Sequence, residues 1–279
     1  MGKTIVINSS NYIQGSGNKY VYNFPQTSHF QAGSGIGVSN IAIYNSVQNI
    51  NDKRGNNKIT LNWLGIDYLF KIPDSYMSVS DLNFFIQNQC ILNNLYVIGN
   101  DGADNVYFAE LVINSVRYST SLNFYPIPTS SEAINLGYVK PLGATWNFPN
   151  SPVCPSLKFE QPFGNLIGLT FGTYPPTLQS TSIQFLSTQT PKISPVDSLI
   201  LTCNLINSKY SIPSNILFTV PISSSLGSLI QVNISNIVFN DILVQNFSSL
   251  EIVLYDQLFN AVELLDKEMT LTLIIEEGK

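Results

Sequence analysis

The strongest constraint on the fold is a two-residue alternation that recurs in short runs. At 269–275, Met269, Leu271, Leu273 and Ile275 point one way while Thr270 and Thr272 point the other, and at 199–205 Leu199, Leu201, Cys203 and Leu205 share a face. A period of two puts successive side chains on opposite faces of a pleated strand, so each run is predicted to be a strand half-buried on a core. Similar runs, rich in β-branched and aromatic residues and bounded by turn clusters, occupy 3–8, 19–24 ahead of Pro25, 37–44, 106–125 with a bend near Asn114-Ser115, 166–171, 229–239 and 250–255. Leaving out the opening strand at 3–8 and a hairpin described next, roughly eight main strands remain, the number an eight-stranded jelly roll of two packed sheets needs. No helices alternate with the strands to cross over between parallel neighbours, so an all-β, antiparallel sandwich, a single jelly roll, is the economical prediction.

One segment breaks the pattern. A hairpin from 58–63 to 68–72, turning at Leu64-Gly65-Ile66-Asp67, runs into a helix signature. Ser78 is placed to cap it, Asp81 follows three residues on, and Val79, Leu82, Phe85, Ile86 and Cys90 fall on one face. Hairpin and short helix are expected to form one insertion at about 50–100. From 126 to 162 the pattern gives way to Pro, Ser, Gly and Asn, which predicts a long irregular loop excursion. The chain of 279 residues suits one large β-domain or two small ones, and a single jelly-roll domain over 1–279 carrying both insertions is expected.

Only 11% of residues are charged, against about 25% in an average soluble protein, so the surface is polar but weakly ionic. Free monomers are commonly kept soluble by interspersed charge, and its scarcity points to surface covered by other subunits. The net charge of −5 argues against a protein that grips nucleic acid. Lys53-Arg54, the one close basic pair, sits in a loop rich in Asn and Gly and is expected to be a solvated turn. Cys90, Cys154 and Cys203 are odd in number and widely spaced, which fits reduced, mostly buried thiols. No apolar run approaches the roughly 20 residues of a membrane span, and no signal pattern opens the chain, so a soluble, unsecreted protein is expected. Gly2 follows Met1, but Val6 stands where a myristoylation site needs Ser or Thr.

Little in the sequence points to catalysis. His29, the only histidine, lies in a polar turn after Pro25, so any Ser-His-Asp or Cys-His site would depend on it alone. No set of residues has zinc-ligand spacing, and Gly33-Ser34-Gly35-Ile36-Gly37 leads into a strand without the lysine of a phosphate loop. Asp101 and Asp104 lack the carboxylate ladder of a calcium loop. Acids gather near the end as Glu263, Asp266, Glu268, Glu276 and Glu277, for which solvated charge is the ordinary reading and a glycosidase pair the alternative. Tyr20, Tyr22, Trp63, Tyr68 and Trp146 suit core or interface packing, with sugar stacking as the alternative. No catalytic, cofactor-binding or metal-binding residue is assigned, and no cofactor is expected.

Several strings in order carry a resemblance. Tyr20-Val21-Tyr22-Asn23-Phe24-Pro25, then Asn56-Asn57-Lys58-Ile59-Thr60-Leu61-Asn62-Trp63, then Ile72-Pro73-Asp74-Ser75-Tyr76 leading into Ser80-Asp81-Leu82-Asn83, resemble the minor capsid (penton) proteins of virophages and Polinton-like viruses. The run 198–211, then Pro213-Ser214-Asn215-Ile216-Leu217, then 250–257 with Phe259-Asn260, is similar to the late strands and loops of that family. The likeness spans the chain except for about 130–162. The resemblance implies a jelly-roll homopentamer at the vertices of an icosahedral capsid, surrounded by a double-jelly-roll major capsid protein. It implies location in the virion after assembly in the host cytoplasm, no enzymatic activity, no membrane span and no sequence-specific nucleic-acid binding. A carbohydrate-binding jelly-roll module on a virion surface and a small all-β hydrolase are the competing readings.

Overall fold

The computed structural model describes residues 2–100, 102, 104–194 and 196–278. The chain divides into two compact units, Met1–Gln48 with Val196–Lys279, and Asn49–Pro195. The first unit opens with β1 (Lys3–Asn8), a 3-10 turn at Ser9–Asn11, β2 (Lys19–His29) and β3 (Gly35–Tyr44). The second contains the hairpin β4 (Lys58–Trp63) and β5 (Ile66–Lys71), then helix α1 (Val79–Leu92) and the short pair β6 (Val97–Ile98) and β7 (Asn105–Val106). It continues through β8 (Ala109–Asn114), β9 (Ser119–Phe124), α2 (Ser130–Leu136), β10 (Ser156–Phe159), α3 (Gln161–Ile167), β11 (Gly172–Tyr174) and β12 (Ile183–Leu186). The first unit then resumes with β13 (Ser198–Cys203), β14 (Ile216–Pro221), β15 (Leu229–Asn233), the short β16 (Asn240–Asp241), β17 (Asn246–Tyr255) and β18 (Met269–Glu276).

The first unit is a jelly roll. Its sheets run β1-β18-β3-β15 and β14-β13-β17-β2, every pairing antiparallel, with β16 added beside β3. Counting the full strands of this unit from one to eight along the chain, the sheets read 1-8-3-6 and 5-4-7-2, the winding of a two-sheet, eight-stranded jelly roll. The alternation seen in the sequence builds its core. Met269, Leu271, Leu273 and Ile275 of β18 and Leu199, Leu201 and Cys203 of β13 are all buried in one cluster, with Leu250, Ile252 and Leu254 of β17. Burial of large apolar side chains is the main stabilising term, about 1.5–3 kcal/mol for each.

The strands that make up the eight differ from those expected. The opening strand, left out of the tally, is β1 and supplies an edge of the first sheet. The run at 106–125 belongs to the second unit, where it folds back as β8 and β9 around a turn in which Tyr118 has φ +48°. The run at 166–171 is no strand: it holds the end of α3, closed by Gly168 at φ +75°. Pro162 in the first helical turn and a left-handed Gly at the end favour a helix, and a short apolar run alone cannot tell helix from strand.

The sequence leads to the expectation of one jelly-roll domain over 1–279 with an insertion at about 50–100 and an irregular excursion at about 126–162. Residues 50–100 and 126–162 both fall within the second unit, which has its own core around Trp63, Phe70, Phe124 and Phe163. The 126–162 region is ordered by elements of its own, α2 and β10 among them. Thr129 caps α2 reciprocally with Glu132, and Ile127 bridges to Val153. The second unit holds sheets β11-β10-β4-β5 and β12-β9-β8 and the pair β6-β7. Helix α1 forms as the sequence predicts: Ser78 accepts the Asp81 N–H at 3.1 Å, Asp81 accepts the Ser78 N–H at 2.9 Å, and Val79, Leu82, Ile86 and Cys90 are buried. No helix among the described residues is long and apolar enough to cross a membrane.

Candidate functional site

The residues weighed for chemistry are dispersed. His29 is exposed at the end of β2, its Nδ1 2.8 Å from Oδ1 of Asn246, its register partner on β17. Glu277 lies 2.5 Å from Lys3, whose hydrogen bond and charge hold the carboxyl below its usual range. Asp266 accepts the Glu268 N–H at 2.8 Å, and the Glu263 carboxylate lies against Gly17, where a Cβ would come within 2.5 Å of it. Gly17 also has φ +79°, a left-handed backbone conformation that favours glycine, while the Glu263 carboxylate at the end of its flexible side chain could move aside. Among the described residues, no group of three or more His, Cys, Asp or Glu is placed to hold a metal. Asp101 lies outside the described residues; the Asp104 carbonyl accepts the Gly99 N–H at 2.8 Å in a turn.

Burial also accounts for the thiols and most of the aromatics. Cys90 and Cys203 are free and buried, and desolvation pushes each thiol up to about 12; burial raises Cys154 as well. Tyr20 is fully buried and donates to the Lys267 carbonyl at 2.9 Å, and burial, with Tyr12 and Asp266 nearby, raises its phenol. Trp63 packs edge-on to Phe108 and Trp146, and Trp146 donates through Nε1 to the Asn94 carbonyl at 2.6 Å. Tyr22 and Tyr68 are half-buried against the cores of their own units.

The loop around Lys53-Arg54 holds more than a solvated turn. Asn49, Asn51, Asn56 and Asn57 are all buried. The Asn49 amide donates to the carbonyls of Met77 and Ile193, at 2.8 Å each, and accepts the Met77 N–H at 2.9 Å. Asn56 donates to the Asn49 carbonyl at 2.7 Å and accepts the Asn51 N–H at 3.0 Å. These amides tie the segment before α1 and the end of the second unit to its beginning. Burial of a string of asparagines leaves no periodic signal in the sequence, and for that reason the network was not legible there.

An open groove of about 620 Å³ crosses the second unit. Its floor is the outer face of sheet β11-β10-β4-β5, where Asn62, Ser156 and Thr173 alternate with the buried Leu61, Trp63 and Leu157. One end is the turn Leu64-Gly65, with φ of +52° and +87°, the left-handed pair of a tight two-residue hairpin. The walls are two loops, one bearing Asn147 and Pro149 and the other Pro176 and Leu178. Behind the groove Cys154 joins these walls, its N–H donating to the Gln179 carbonyl at 2.8 Å and its Sγ lying 3.3 Å from the Thr181 carbonyl. No charged side chain lines it among the described residues.

Apolar side chains are exposed on both units. In the first, Tyr210 and Ile212 are 99% and 95% exposed in the loop between β13 and β14, and Val238, Val244 and Leu258 are also open. In the second, Phe84, Ile91 and Leu92 form a stripe on α1 opposite its buried face, and Ile134, Val139 and Leu142 follow one another through α2 and beyond. Exposed apolar residues are common one at a time, and it is a contiguous apolar patch of several hundred Å² that marks a surface meeting another protein.

No family model matches the chain, and no curated protein matches it. Among solved structures, the crystal structure of the selenomethionine-labelled mavirus penton protein is similar over 100% of this chain and 98% of that one, with a TM-score of 0.41 and 11% identity.

Proposed function

We propose that this protein is a structural capsid protein forming the homopentameric vertex of an icosahedral shell, set among copies of a double-jelly-roll major capsid protein. The observation that carries the reading is the 1-8-3-6 and 5-4-7-2 winding of the first unit, joined to exposed apolar side chains on a chain with 11% charged residues. The ordered strings that resemble penton proteins support it as well. Five copies around an axis make heterologous contacts that close into a ring, so one flank of each subunit meets a different flank of the next. Flanks poor in charge lower the desolvation cost of such contacts, and aromatic residues such as Tyr210 suit their centres. The role needs no cofactor and no reaction, and it places the protein in the virion after assembly in the host cytoplasm.

Native mass spectrometry and sedimentation across a concentration series test the reading. The expected result is a species of five times the 30.9 kDa chain mass, and its incorporation at five-fold positions on co-expression with a major capsid protein. A chain that stays monomeric at every concentration and never enters shells overturns it.

A further inference from the structure

We propose that the groove on the outer face of sheet β11-β10-β4-β5 is a binding site for a neutral oligosaccharide. Its volume of about 620 Å³ lies within the roughly 300–1,000 Å³ of small-ligand sites. Its polar groups are amides and hydroxyls, each able to donate and to accept, which is the chemistry that pairs with sugar hydroxyls. Among the described residues the Ser156 and Thr173 hydroxyls make no hydrogen bond, and the one bond to the Asn147 side chain is at Oδ1, from Lys140 at 3.4 Å, which leaves its amide N–H groups for a ligand. The apolar faces of a sugar would lie on Pro149, Pro176 and Leu178, the last 88% exposed.

Charge selects among occupants. A sialylated or sulfated glycan would give up part of the hydration of its anion to a lining that holds no cation among the described residues, a loss that a neutral sugar avoids. A peptide strand is excluded on different grounds. β10 and β4 are each paired on both sides, and the edge strand β11 is three residues long and runs into Pro175 and Pro176, which have no N–H to give to an added strand. The walls are joined through Cys154, so the groove is formed before a ligand arrives and binding orders little of the protein.

The test is an array of neutral oligosaccharides, disaccharides to hexasaccharides built on glucose, mannose, galactose and N-acetylglucosamine, with sialylated, sulfated and proline-rich peptide probes alongside. The full-length protein is compared with Asn147→Ala/Thr173→Val and with Leu178→Ala, all exposed positions, after thermal melts show the fold retained. The expected result is binding to at least one neutral glycan, weakened about tenfold or more in the double variant, the equivalent of one lost hydrogen-bonded pair. Leu178→Ala is expected to weaken the same glycan. No neutral binding, preference for anionic glycans or the peptide, or binding unchanged in both variants overturns the proposal. The array does not read oligomeric state, so its outcome is independent of the vertex role.

Discussion

At the scale of single residues, burial decides more than ionisation. The raised Cys90 and Cys203 thiols stay protonated through neutral and mildly alkaline pH, and only the thiolate attacks a disulfide reagent. Titration of the native protein with such a reagent at about pH 8 is expected to label neither, with all three cysteines reacting after denaturation. Asn49 shows the other side of burial, since a polar group taken from water must be satisfied. Its amide makes three hydrogen bonds, and Asn49→Ala leaves the partner groups on Met77 and Ile193 without it. The expected cost is about 3 kcal/mol, at roughly 1 kcal/mol per bond, read as a lower urea midpoint with the slope unchanged.

At the scale of elements, local signals were legible where they carried their own chemistry. Ser78 and Asp81 announced α1 because a cap and its reciprocal acceptor must sit three residues apart, and β18 and β13 announced themselves by alternation. The run at 166–171 misled because periodicity is uninformative over so few residues, and Pro162 with Gly168 carried the decisive message. The groove was invisible because its lining comes from β4, β10, β11 and two loops distant in the chain, a coincidence made only by folding. The α1 cap also gives a signed pH dependence. The Ser78 hydroxyl and N–H hold the Asp81 carboxyl below its ordinary range, so the contribution is full above the unfolded value near 4 and is lost as pH falls through the depressed folded value. Ser78→Ala is therefore expected to cost about 1 kcal/mol at neutral pH. The gap between wild type and Asp81→Asn in thermal melts is expected to narrow as the pH falls below the ordinary carboxylate range.

At the scale of the whole molecule, two cores mean two cooperative systems. One cluster belongs to the jelly roll and the other to the unit built on Trp63, Phe124 and Phe163. Calorimetry of the intact chain is expected to depart from a single two-state transition, with a calorimetric enthalpy larger than the van 't Hoff value. Replacing Trp63 by Ala is expected to lower one transition and leave the other in place, by about 3–5 kcal/mol for a large core truncation. The second unit also leaves the jelly roll after Gln48 and returns at Val196, and Asn49 holds the Ile193 carbonyl within hydrogen-bond reach. Such a doorway, with both jambs side by side, makes the excursion interchangeable. Loop-closure entropy changes only as the logarithm of length, so a lineage can shorten, enlarge or swap the passenger while the eight-strand chassis keeps its winding.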